Sequence, residues 1–226
     1  MTGDTRADSR GTTARPRDFK SRSRAAFDRQ ARTYDSAGYG RHALRLQPAV
    51  LAALEPLPFS VLLDVGCGTG RLLEAVAAAR PGLRLLGIDL SPEMLAVARE
   101  RLGGATRAAG VAVDLHVADA EHLPFADGTA EVVTCVDSFH HYPDPAAALA
   151  EMHRVTRSGG ALVIGEWHVG RFWRGLMNRL LPHTPSGDVR IYTPEEMATL
   201  AASAGYAVER SEPAGVRGQL LVALRP

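Results

Sequence analysis

Val61-Leu62-Leu63-Asp64-Val65, followed at once by Gly66-Cys67-Gly68-Thr69-Gly70, decides how this 226-residue chain folds. Five residues, four of them apolar, have the length and character of a strand buried on both faces. The glycines then let the backbone turn sharply and come close to a ligand. A helix pattern, RLLEAVAAA (71–79), begins immediately afterwards. Its N-terminal N–H groups and dipole would therefore face whatever the loop holds.

Working outward, the same alternation repeats. LRLLGID (83–89) predicts a second strand, and Ser91-Pro92-Glu93 a helix start with Pro at its first position. VAVDLHVAD (111–119) and EVVTCVD (131–137) predict a third and a fourth strand. PDPAAALAEMHRVT (143–156) predicts a helix, and Gly159-Gly160 lead into a fifth strand, ALVIGEW (161–167). Beyond it come an irregular aromatic stretch, a helix start at TPEEM, and two late strands around 206–210 and 218–224. Near-continuous Val/Ile/Leu strands separated by helices predict a mostly parallel α/β sheet covered on both faces. Two helices precede it, one near 23–35 and one over 42–54.

Composition narrows the function classes. A net charge of +1 and 46% hydrophobic residues describe an ordinary globular domain without the basic footprint of a nucleic-acid binder. Two cysteines, Cys67 and Cys135, make no disulfide framework and read as small packing residues. No apolar run approaches the length of a membrane span, so a cytoplasmic protein is expected. Residues 1–22 have almost no apolar content and six basic residues against three Asp. They predict a disordered basic tail, with one domain over 23–226.

The glycine spacing discriminates between ligands. A dinucleotide fingerprint is G-x-G-x-x-G, whereas this run is G-x-G-x-G with Asp64 two residues ahead. A carboxylate there disfavours a pyrophosphate and suits an ammonium or sulfonium. Asp89 ends the second strand 19 residues after Gly70, where an acid can accept both hydroxyls of a ribose. Asp119, followed by Ala120, ends the third strand in a place suited to an adenine amino group. Asp137 ends the fourth.

As an ordered set, VLLDVGCGTGRLL, LLGIDLSPEML, VADAEHLPFADGTAEVVTCVDSFHHYPDP and RVTRSGGALVIGEW resemble the class I S-adenosylmethionine-dependent methyltransferases. The nearest subgroup contains the ubiquinone/menaquinone-biosynthesis C-methyltransferases and many small-molecule methyltransferases. The resemblance spans about residues 24–210. It implies a Rossmann-like doubly wound sheet of seven strands with the last antiparallel, and S-adenosylmethionine as cofactor. It further implies that Gly66 and Gly68 line the methionine moiety with Thr69 nearby, while Asp89 holds the ribose. Leu90 and Met94 would flank the adenine, and Asp119 and Ala120 would read its edge. Val136 and Asp137 would lie beneath the cofactor, with Tyr34 folded over it.

His140-His141 follow the fourth strand, and His141 matches the second His of a pair often found in this subgroup. With a near-neutral pKa it would serve as general base. No metal is expected from this pair, because adjacent residues rarely point at one ion and no nearby Cys or Asp completes a site. Trp167, His168, Phe172 and Trp173 open a lid over about 167–192 that would offer an aromatic acceptor something to stack on. The segment Asp137-Ser138-Phe139 lacks the Pro-Pro motif with which amine and glutamine methyltransferases grip a planar nitrogen. The expected acceptor is therefore a small, fairly apolar molecule methylated on oxygen or carbon. An NAD-dependent oxidoreductase, a non-catalytic cofactor-binding module and an RNA methyltransferase using the Arg-rich tail are the alternatives.

Overall fold

A computed structural model describes residues 16–37, 40–108 and 110–226. The elements run α1 (Pro16–Gln30), α2 (Arg41–Leu54), β1 (Val61–Val65), α3 (Arg71–Ala79), β2 (Arg84–Asp89), α4 (Pro92–Ala108), β3 (Ala112–Val117) and β4 (Ala130–Val136). There follow α5 (Pro145–Val155), β5 (Thr156–Trp167), α6 (Arg171–Leu180), α7 (Pro194–Ser203), β6 (Ala207–Ala214) and β7 (Gly218–Leu224). The sheet order is β3-β2-β1-β4-β5-β7-β6, with β7 antiparallel to both its neighbours. This is the Rossmann-like doubly wound sheet, parallel but for its last strand.

The alternation of side chains along β1 explains the two-sided cover. Leu62 packs with Val50 of α2, Leu73 and Val76 of α3 and Leu95 of α4. Leu63, its neighbour, joins the opposite cluster with Leu149 and Met152 of α5 and Met197 of α7. Each fully buried Leu contributes about 1.5–3 kcal/mol. Because β1 pairs with β2 on one side and β4 on the other, the chain reverses direction across the sheet there. That switch point opens a crevice beyond the carboxyl ends of the strands.

Helix starts obey local chemistry. Ser91 Oγ accepts from Met94 N at 3.1 Å as α4 begins, and Thr193 and Glu196 form a capping box at α7. The third strand is less buried than its Val-rich sequence suggested, because β3 is an edge strand alternating between covered and exposed positions. The fifth strand begins earlier than expected, at Thr156, and the sixth runs on to Ala214.

The expected tail needs correcting. Residues 16–22 are helical, as the first turns of α1, while residues 1–15 lie outside the described residues. Polar contacts hold this stretch where apolar burial cannot. Lys20 Nζ reaches Asp119 Oδ2 at 2.6 Å and Glu121 Oε2 at 2.5 Å, and Arg22 donates to the carbonyls of Pro182 and Thr184 at 3.0 Å. Among the described residues no helix is long and apolar enough to cross a membrane.

Candidate active site

Gly66 is where the backbone demands glycine. Its φ is +78°, and a Cβ there would stand 2.1 Å from Ser138 Oγ. The loop is pinned back to the sheet, since Gly66 N and Cys67 N both donate to Ile88 O at 2.8 Å. Asp89 braces it further. Its Oδ2 accepts from Gly68 N at 2.9 Å and its Oδ1 from Ser91 N at 2.8 Å.

Two cavities flank this loop. Tyr34, Asp64, Gly66, Gly68, Thr69, Asp89, Met94, Val136 and Asp137 line the first. Leu90, Asp119, Ala120 and His141 line the second, which shares Phe27, Gly66, Asp89 and Ser138 with the first. The fold thus brings together every cofactor residue and the candidate base singled out in the sequence.

The first cavity is acidic, and burial gives its acids unusual pKa values. Burial, then the Asp89 charge, pushes the Asp64 carboxyl up to about 7 despite a hydrogen bond from Thr134. Burial likewise raises Asp89 to about 6 against backbone donors from Ser91, Gly68 and Leu90, and Asp137 to about 6 against the pull of His140. Asp137 also has φ +53°, a left-handed conformation that a non-glycine residue adopts at a cost of order 1–3 kcal/mol. Arg71, the one basic side chain lining this cavity among the described residues, is already paired with Asp35 at 3.1 Å. One buried and two half-buried carboxylates without a free cation suit a ligand bearing an ammonium, a sulfonium and ribose hydroxyls.

Some expectations change in detail. Thr69 Oγ1 is taken by both oxygens of Asp35, at 3.1 and 3.2 Å, and Arg101 also pairs with Asp35. Asp35 thereby ties α3, through Arg71, and α4, through Arg101, to the segment after α1. Asp119 lines the second cavity, but its Oδ2 also carries Lys20. Phe172 and Trp173, expected over an acceptor, lie 79% and 61% exposed against each other and line neither cavity. α6 has no buried residue, because the lid's packing is done by Val169, Leu181 and Ile191.

The histidine pair is the largest revision. Burial, then the neighbouring His140, lowers His141 to about 4, not the near-neutral value expected of a base. It remains a neutral imidazole at pH 7, with Nδ1 buried and without a hydrogen-bond partner. His140 Nδ1 instead meets Glu166 at 3.0 Å, a carboxylate only 1% exposed. Burial pulls the His140 pKa down, but Glu166 and Asp188 hold it well above its usual range. Asp188, which no local pattern marked, brings an oxygen to 3.4 Å from His140 Nε2 and 3.6 Å from His141 Nε2. The ground for excluding a third ligand near the pair therefore falls.

The sheet order, the glycine loop and the acidic crevice define a Rossmann-like methyltransferase. Known proteins agree. Residues 63–164 match the family described as a methyltransferase domain. The chain is 34% identical over 180 residues to the demethylmenaquinone methyltransferase of Thermus thermophilus, covering 71% of this chain and 80% of that one. It is 33% identical over 162 residues to the ubiquinone biosynthesis O-methyltransferase of Thiobacillus denitrificans, covering 68% and 67%. A SAM-dependent methyltransferase from Aquifex aeolicus superposes with a TM-score of 0.66 at 21% identity, over 87% of this chain and 97% of that one. This chain belongs to the class I S-adenosylmethionine-dependent methyltransferases, and S-adenosylmethionine is its cofactor.

Proposed function

We propose that this methyltransferase acts on an oxygen or carbon of a small, fairly apolar acceptor related to quinones. The observation that carries this reading is the join of the two cavities at Gly66, Asp89 and Ser138, with His141 in the wall of the second. The quinone-pathway names of both relatives support the same acceptor class.

When bound, S-adenosylmethionine supplies a methyl group already activated on a sulfonium. Asp89 would accept the ribose hydroxyls, and Asp64 with Gly66, Gly68 and Thr69 would take the methionine end. Leu90 and Met94 would hold the adenine, with Asp119 and Ala120 at its edge. Val136, Asp137 and Tyr34 would complete the cofactor's surroundings. α1, which lines the cavities with Lys20, Ser23 and Phe27, would exclude water and hold the acceptor in line, a contribution worth up to about 7–11 kcal/mol.

The test is turnover of the full chain with S-adenosylmethionine and a panel of hydroquinones, phenols and amines, read by mass spectrometry. A methylated hydroquinone or phenol is expected. Methylation of amines alone, or no small-molecule product beside steeply salt-dependent RNA binding, would overturn the reading.

A further inference from the structure

We propose that His140, His141 and Asp188 form a binding site for a divalent transition cation of the zinc class. Both imidazole Nε2 atoms converge on a single oxygen, Asp188 Oδ1, at 3.4 and 3.6 Å. These separations are long for an N–H···O hydrogen bond, which spans about 2.7–3.2 Å. The first equals the edge of a tetrahedron whose metal bonds are about 2.0–2.1 Å, an edge of about 3.3–3.4 Å, and the second lies about 0.2 Å beyond it. The three ligand atoms lie within 4.8 Å of one another.

The outer contacts are those a ligand set requires. Glu166 engages His140 Nδ1 at 3.0 and 3.1 Å and leaves Nε2 to face Asp188. Such a carboxylate–histidine contact orients a metal-binding imidazole. Glu166 is itself held by Phe139 N at 2.8 Å and Trp167 N at 3.0 Å. Asp188 carries its hydrogen bonds on the other oxygen, Oδ2, from Ser186 Oγ and from Thr184 Oγ1 at 3.2 Å. Oδ1 stays available. The His141 ring is wedged between His140, at a centroid separation of 4.2 Å, and the edge of Phe27 at 5.0 Å.

A neighbouring trio, Asp137, His140 and Glu166, also clusters. There the nitrogen and carboxylate stand at ordinary hydrogen-bond distance, so that trio is the support and not the site. Two imidazoles and one carboxylate form a ligand set of catalytic metal centres that keep an open position. His141 also lines the second cavity, which places the site beside the proposed acceptor. An ion there would polarise an acceptor oxygen that it binds.

Titration of the full chain with Co²⁺, read by visible d–d absorption, and with Zn²⁺, read by calorimetry, tests the site without any turnover. Failure of ion binding is thus distinguishable from failure of the acceptor reading. One ion per chain is expected, with His141→Ala and Asp188→Asn each weakening binding by about 100-fold or more. Glu166→Gln, which removes only the orienting contact, should weaken it about 10–100-fold. His116→Ala, in the exposed pair with Asp114, should leave it unchanged. Should Asp188→Asn or Glu166→Gln lose the native circular dichroism, His141→Ala decides alone. No binding by the native chain, or equal binding by His141→Ala, would overturn the proposal.

Discussion

Asp64 and Thr134 face each other across β1 and β4, with Thr134 Oγ1 donating to Asp64 Oδ1 at 2.7 Å. One neutral hydrogen bond does not offset the burial of a carboxylate that is 3% exposed. The free protein therefore carries strain at this point that a cationic ligand relieves. Asp64→Asn keeps the acceptor oxygen for Thr134 and removes the charge. It should stabilise the ligand-free chain by on the order of 1–4 kcal/mol while weakening S-adenosylhomocysteine binding about tenfold or more. Urea unfolding and calorimetry measure the two effects.

The same electrostatics set a pH dependence. Asp64, raised to about 7, and Asp89 and Asp137, raised to about 6, bind protons more tightly folded than unfolded. The stability they add is complete below about pH 4 and is lost as pH rises through 6 to 7. His141, lowered to about 4, acts the other way, its contribution fading as pH falls from about 6.5 toward 4. Burial also lowers His42 and His153, which act with His141, while His140, held above its usual range by Glu166 and Asp188, acts with the acids. With four groups against three, the melting temperature of the free chain should fall between pH 5 and pH 7.5. A thermal melt that rises steadily across that range would contradict this.

Two glycines of one loop should respond differently to the same change. Gly66→Ala forces a side chain into Ser138 at a φ of +78°, so cofactor binding should be lost. Gly68→Ala meets nothing within 4 Å and strains only a φ of +52°, so binding should survive at reduced affinity. Calorimetry with S-adenosylhomocysteine on both variants compares them directly.

His141→Ala separates binding from chemistry. The carboxylates facing the cofactor are untouched, so S-adenosylhomocysteine affinity should stay within about threefold, while kcat falls by up to about 10²-fold as the acceptor loses a wall of its cavity. An unchanged kcat would remove His141 from the reaction.

The core of the fold was legible because its signals are local. β1, its glycine loop, α4 with Pro at the first helical position and the capping box of α7 each declare themselves within a few residues. The strand-end acids were legible for the same reason. Residues whose role depends on partners far along the chain were not. The first turns of α1 are held by Lys20 against Asp119 and Glu121, which no helix periodicity reveals. Asp188 lies in a loop without apolar pattern and reaches the histidines only because Val189 N and Arg190 N donate to His140 O at 2.8 and 3.2 Å. The exposure of Phe172 and Trp173 shows the converse error, since aromatic content alone does not say which way a helix turns.

S-adenosylmethionine would be held at the β1–β4 switch point through Asp89. Isothermal titration of the native chain and of Asp89→Ala with S-adenosylhomocysteine tests this most directly, with NADH titrated alongside. Micromolar binding to the native chain, weakened at least tenfold in Asp89→Ala, is the expected result. Binding of NADH without S-adenosylhomocysteine, or equal S-adenosylhomocysteine binding by the two proteins, would contradict it.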